Sequence, residues 1–213
     1  MIKHFMSRRT FAGAGLASAG LLCAGSARAL ADKVPTAESP MGPFFPIVRP
    51  ADADADLTWV KGRSARAAGQ VIEISGRVFD VKGNPIPGAT LELWQANAAG
   101  RYDHPRDIAT AALDPNFQGF ATVRADGKGD WRIVTIKPGG YDSPIGHRPP
   151  HIHFDMRSEK TRSIAQLYFP EEAEGNAKDT LYKALTPAEA ATSLAARNAS
   201  DPNKYTWDVV LLG

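Results

Sequence analysis

From Val71 onward, apolar and polar residues alternate in short runs separated by turn residues. Val71 to Asp80 alternates as a strand, and Lys82-Gly83-Asn84-Pro85-Ile86-Pro87-Gly88 is dense in the residues that make turns. Ala89 to Asn97 reads as a second strand, with Leu91, Leu93 and Gln95 on one side and Glu92 and Trp94 on the other. Phe120 to Arg124 and Trp131 to Ile136 are further strands, joined by the turn Asp126-Gly127-Lys128-Gly129-Asp130. A strand beginning near His151 follows, then Ser163 to Phe169, and Tyr205 to Leu212 closes the chain. Residues 171–204 read as helix and loop; Thr186-Pro187-Ala188-Glu189 carries the N-cap, the first-turn proline and the glutamate of a capping box. The pattern predicts an all-β fold: a sandwich of mixed or antiparallel strands with long loops and a short helical segment near the C-terminus.

Residues 32–70 lack this alternation. They are rich in Pro, Ala and Asp and read as an irregular N-terminal arm, with Pro43-Phe44-Phe45-Pro46 expected to pack on the domain formed by residues 71–213. Residues 1–31 differ again: Lys3, Arg8, Arg9 and Arg28, no acidic residue, a weakly apolar run from Ala12 to Ala24, and small-x-small sequences ending at Ala29 and Ala31. That is the composition of a secretory signal, and Arg8-Arg9-Thr10-Phe11 gives it a twin-arginine character. The expectation is an exported protein, periplasmic or secreted, with no membrane attachment once the signal is removed.

Removal of those residues takes the formal charge from +2 to −2, which gives no basic face for nucleic acid. It also removes Cys23, the single cysteine, so a mature chain has neither a disulfide nor a thiolate site. Any metal must be held by His, Tyr, Asp or Glu.

The stretch His147-Arg148-Pro149-Pro150-His151-Ile152-His153-Phe154-Asp155-Met156 is the strongest chemical candidate. His151 and His153 share one face of a strand, and two imidazoles so placed are a compact pair of neutral nitrogen ligands. Taken alone, the same pattern equally describes a half-buried strand whose histidines only make hydrogen bonds.

Further motifs bear on that choice. Gly76 to Tyr102, Leu113-Asp114-Pro115-Asn116-Phe117, Lys137-Pro138-Gly139-Gly140-Tyr141, Arg148 to Phe154 and Gln166-Leu167-Tyr168-Phe169 occur in the order and spacing of one family. Together they resemble the intradiol ring-cleavage dioxygenases, and within them the protocatechuate 3,4-dioxygenase group, β-subunit-like.

The resemblance implies a non-haem Fe(III) held by Tyr102, Tyr141, His151 and His153. Two phenolates and a hydroxide would balance the three charges of this hard cation, and the cation would keep the phenols ionised. The implied reaction is intradiol cleavage of a catecholic ring by O2, giving a cis,cis-muconate-type diacid in aromatic catabolism. By the same resemblance Tyr141 is the ligand displaced by substrate and a proton acceptor, Arg148 stabilises charge on the activated ring, and Gln166 orients groups around the metal. A homo-oligomer or a complex with a related chain is also implied.

The sequence departs from the protocatechuate group after Tyr141, where Asp142-Ser143 stands in place of an aromatic residue and the segment to Gly146 is short. The wall of the substrate pocket is expected to differ there. Asp103, Arg106 and Asp107 are expected either to meet a substrate carboxylate or to face solvent. Two other classes remain in competition: a non-catalytic secreted β-sandwich binding module or partner subunit, and a zinc or copper enzyme using His151, His153 and a third histidine, His104 or His147.

Overall fold

A computed structural model describes residues 32–212; the signal-like segment 1–31 lies outside the described residues. Eleven strands and two short helices are present among them. The strands are β1 (Val71–Asp80), β2 (Thr90–Trp94), β3 (Phe120–Arg124), β4 (Asp130–Ile136), β5 (Tyr141–Ser143), β6 (Gly146–Arg148), β7 (His151–Arg157), β8 (Arg162–Tyr168), β9 (Ala196–Arg197), β10 (Lys204–Thr206) and β11 (Val209–Leu211). The helices are α1 (Ala173–Lys178) and α2 (Pro187–Ser193), and α2 starts on the reciprocal Thr186–Glu189 capping box.

Two sheets face each other. In one, β1 pairs antiparallel with β4 along one edge and parallel with β10 and then β11 along the other, while β9 extends β10. The other is antiparallel in the order β3-β2-β7-β8. Ile72, Ile74, Val78 and Ile133 from the first sheet meet Leu91, Leu93, Ile152, Phe154, Met156 and Leu167 from the second in one buried cluster. Burial of each such side chain stabilises the fold by roughly 1.5–3 kcal/mol, so this seam fixes the register of β7.

The chain closing on β1 is not one strand. It breaks at Trp207 and Asp208, where the Trp207 carbonyl lies over Gly76 so closely that a Cβ there would be 1.9 Å from the oxygen.

With Ile152, Phe154 and Met156 committed to the core, His151, His153 and Asp155 point to the outer face of the sheet. They are nonetheless buried: Tyr141 and Tyr168 pack on His151, Arg157 and Arg162 cover Asp155, and the arm runs across that face over His153. Ser39 N–H donates to the Ile164 carbonyl at 2.8 Å, and Thr122 N–H donates to the Ala53 carbonyl at 2.9 Å. Between those points, Phe45 packs edge-on to Trp94, and Arg49 donates to Glu92 at 2.8 Å. A second apolar cluster results, built from Phe44, Trp94, Ala96, Tyr102, Phe120 and Tyr141. The site lies in it.

Candidate active site

Two glycine-rich turns bring the tyrosines to the histidine strand. After β2 the chain turns on Asn97, whose Oδ1 accepts from the Ala99 and Arg101 amides, and Tyr102 follows. Gly139 N–H donates to the Asn97 carbonyl at 2.9 Å, which ties this turn to the one preceding Tyr141. Gly100 adopts a φ of +77°, and a Cβ on it would lie 2.2 Å from the Gly140 carbonyl oxygen. Only glycine permits this approach. Downstream, β5 and β6 form a short hairpin whose register sets Tyr141 opposite Arg148.

The four side chains converge. Tyr141 Oη is 3.3 Å from His151 Nε2, and His151 Nε2 is 3.2 Å from His153 Nε2. The Tyr102 ring lies edge-on to Tyr141 at 5.2 Å between centroids and 6.3 Å from the His153 ring. Trp94 stacks on His153 at 4.9 Å with an interplanar angle of 11°.

His151 Nδ1 donates to the Pro149 carbonyl at 2.7 Å, which fixes its hydrogen on that atom and turns the Nε2 lone pair toward the cluster. Burial, then the Arg148 charge, pushes His151 down to about 3, and burial pushes His153 well below its ordinary value. Both imidazoles are therefore neutral. Burial raises both phenols, and the neighbouring Tyr141 raises Tyr102 further.

Tyr102 Oη is buried without a hydrogen-bond partner among the described residues. Such an atom costs about 1–3 kcal/mol. A cation between two neutral imidazole nitrogens and two phenol oxygens would give Tyr102 Oη the partner it lacks and would draw the phenol protons off. The donor set fits a hard metal ion.

Arg148 sits beside this cluster, 4% exposed. Its Nε donates to Asp179 Oδ2 at 2.5 Å, and Nη2 donates to Gln166 Oε1 at 2.5 Å and Tyr168 Oη at 3.0 Å. Gln166 also approaches the arm, with Nε2 3.5 Å from the Pro40 carbonyl. Asp179 is held below the usual carboxylate range: burial raises it, but the Tyr182 amide and the Arg148 guanidinium more than offset that.

Sequence reasoning missed Asp179, Tyr168 and Trp94, and it placed Phe44 against the domain without placing it over the site. Trp94 and Tyr168 lie inside the motifs already singled out, so a search for aromatic neighbours of His151 and His153 across β2 and β8 would have found them.

The remaining candidates lie elsewhere. His147 is largely exposed and pairs through Nδ1 with Asp142 at 2.8 Å. His104 is buried against the edge of Phe44, and its Nδ1 accepts from the Arg106 amide. Neither joins His151 and His153; among the described residues no group of three His, Cys, Asp or Glu is placed to hold a metal. Asp107 neither meets a pocket nor faces solvent: it is buried and accepts from the Tyr102 amide at 2.6 Å, fixing that turn.

The arm roofs the cluster. The Phe44 ring lies 4.6 Å from Tyr102 and 5.8 Å from Tyr141, and a Cβ on Gly42 would be 3.2 Å from His153 Cε1. Alongside Tyr102 a cleft of about 390 Å³ opens between Phe44, Val48, Trp94, His104 and Phe120.

A family model described as a dioxygenase matches residues 41–213. The β chain of protocatechuate 3,4-dioxygenase from Burkholderia cepacia is 38% identical over 174 residues, 75% of this chain and 72% of that one. The α chain from the same organism is 34% identical over 154 residues, 69% of this chain and 75% of that one. Among solved structures, the dioxygenase domain of a dioxygenase–carbohydrate-binding fusion from Streptomyces sp. SirexAA-E aligns with a TM-score of 0.63 at 27% identity, covering 84% of this chain and 99% of that one. The fold is also that of 3-chlorocatechol 1,2-dioxygenase from Rhodococcus opacus 1CP, with a TM-score of 0.63 at 22% identity over 83% of this chain and 71% of that one.

Proposed function

The chain belongs to the dioxygenase family as an intradiol ring-cleavage enzyme, and from that premise we propose that it opens a catecholic ring with O2 at a non-haem Fe(III) held by Tyr102, Tyr141, His151 and His153. The observation that carries the metal assignment is the convergence of two neutral histidines, 3.2 Å apart at Nε2, with two buried phenols. Bound there, Fe(III) would keep the phenols ionised and draw electron density from a chelating catecholate, so that O2 reacts with the ring.

The protein's own groups supply the rest. Once ionised by the metal, Tyr141 Oη, 3.3 Å from His151 Nε2, would take a proton from a substrate hydroxyl. The Pro149 carbonyl holds the His151 tautomer, and Asp107 holds the Tyr102 backbone. Arg148 presents a fixed positive charge beside the cluster to stabilise an activated, electron-rich ring. Phe44 and Gly42 exclude water from above.

The substrate class is a ring with adjacent hydroxyls. Its substituents are selected by the Asp142–Gly146 hairpin and the cleft beside Tyr102. Export through the signal-like segment 1–31 belongs to the same proposal. So does assembly with a second copy or a related chain, favoured by comparable similarity to both chains of a two-chain enzyme. No helix among the described residues is long and apolar enough to cross a membrane.

The test is optical and stoichiometric. Iron-replete protein is expected to hold one iron per chain, to show a broad visible tyrosinate-to-iron band, and to consume O2 with catechol, protocatechuate or hydroxyquinol. A colourless, iron-replete protein would sink the metal assignment. A coloured protein inert toward all three would sink the substrate class.

A further inference from the structure

We infer that Asp179 is the positioning residue for Arg148, an anchor at the end of α1 that fixes the guanidinium plane at the reaction centre. The inference rests on the role given to Arg148 above.

Asp179 is fully buried and stands immediately after α1, 31 residues beyond Arg148. Its carboxylate is locked before it meets the arginine: Oδ1 accepts the Leu181 amide at 2.9 Å and the Tyr182 amide at 2.8 Å. Oδ2 is left to accept from Arg148 Nε at 2.5 Å. A carboxylate needed only to cap the turn that begins at Leu181 and Tyr182 would leave Oδ2 without a protein partner.

Tyr168 completes the frame. Its Oη accepts from Arg148 Nη2 at 3.0 Å, and its single proton divides between Gln166 Oε1 at 2.9 Å and Asp179 Oδ1 at 3.2 Å. The Tyr168 ring also stacks on His151 at 5.7 Å. Two of the three guanidinium nitrogens are thus engaged by groups that are themselves fixed, whereas Nη1 makes no hydrogen bond among the described residues. A long, flexible side chain becomes a rigid donor with one free end. The opposite charges also make burial tolerable, because a lone buried guanidinium would be strongly penalised.

The test is a double-mutant cycle with two readouts. In metal-free protein the Arg148 Nε–H resonance, identified by its loss in Arg148→Lys, is expected to be protected from solvent exchange. Asp179→Asn is expected to remove most of that protection, and Asp179→Glu to restore part of it. In iron-loaded protein, Asp179→Asn is expected to lower kcat about 10- to 100-fold with little change in KM. In an Arg148→Lys background the same change is expected to lower kcat little further. Unchanged Nε–H protection in Asp179→Asn, or kcat losses that simply multiply across the cycle, would overturn the inference. Should Asp179→Asn not fold, Tyr168→Phe is read in the same two ways, with partial loss of Nε–H protection expected and none counting against the frame. If the wild-type chain consumes no O2, the functional reading fails by itself, and the resonance still decides whether Asp179 holds Arg148.

Discussion

Gly100 and Gly140 lie back to back, with the site of a Gly100 Cβ only 2.2 Å from the Gly140 carbonyl oxygen. This one contact explains how two tyrosines 39 positions apart come to share a centre. The Tyr102 turn and the Tyr141 turn can nest because neither Gly100 nor Gly139 has a side chain: a Cβ on Gly139 would lie 2.5 Å from the Gly100 amide nitrogen. Gly100→Ala is therefore expected to damage the site more than its chemistry suggests. A left-handed alanine costs about 1–2 kcal/mol, and the clash with the carbonyl adds to it. The expected result is a melting temperature lower by at least about 4 °C in metal-free protein, with weaker iron retention. Unchanged melting and iron content would show that the turns do not depend on the close approach.

Tyr102→Phe separates the folding role of the phenol from its proposed metal role. Tyr102 Oη has no hydrogen-bond partner among the described residues, so the metal-free variant is expected to match the wild type in stability or exceed it by about 1 kcal/mol. The loaded variant is expected to lose most of the visible band and to bind iron at least about tenfold more weakly. Calorimetry on both forms, with iron titration, checks it. A large loss of stability without metal would assign the hydroxyl a structural partner instead.

Phe44 is the tightest part of the roof, with its ring 4.6 Å from Tyr102. Phe44→Ala is expected to cost about 3 kcal/mol of stability through the cavity it leaves. It is also expected to open the cleft beside Tyr102 onto the centre. The ratio of kcat/KM for a bulky alkylcatechol over catechol should then rise. A ratio unchanged while stability falls would mean that the roof packs without selecting substrate.

The sandwich was legible because β1, β3 and β4 are buried on one face and long enough for a period of two to show. Val71–Asp80 and Phe120–Arg124 are strands with the bounds their alternation suggests. Tyr141–Ser143 and Gly146–Arg148 are three residues each, too short for any period, so the hairpin read only as a short segment before the His151 strand. The histidine pair was legible as a candidate from its spacing, but the burial of His151, His153 and Asp155 was not. A strand with Ile152, Phe154 and Met156 on one face predicts solvent on the other, and long-range partners remove it: the arm over His153, Tyr141 and Tyr168 against His151, and Arg157 and Arg162 over Asp155. Asp179 was invisible for a related reason. It lies in a polar, helical stretch, and its burial is set by Arg148, a partner that no local pattern announces.

A last prediction concerns acid stability away from the proposed metal ligands. Glu171 accepts from Lys137 Nζ at 2.8 Å and from Tyr205 Oη at 2.5 Å, tying the segment before α1 to β10 and to the loop that leads into Tyr141. Burial raises its carboxyl, but Lys137 and Tyr205 more than offset this, so it lies below the usual glutamate range. A carboxylate lowered on folding adds stability that is present above its unfolded value, near 4.3, and is lost as pH falls through the folded value. The Glu171 side chain is 22% exposed and solvent screens the pair, so the contribution at neutral pH is about 1 kcal/mol, or about 2–4 °C of melting temperature. Glu171→Gln is expected to melt lower than wild type by that amount at pH 7, and the gap is expected to close as the pH is taken from about 5 to about 3. A gap that stays constant across that range would mean that the residue acts by packing rather than by charge.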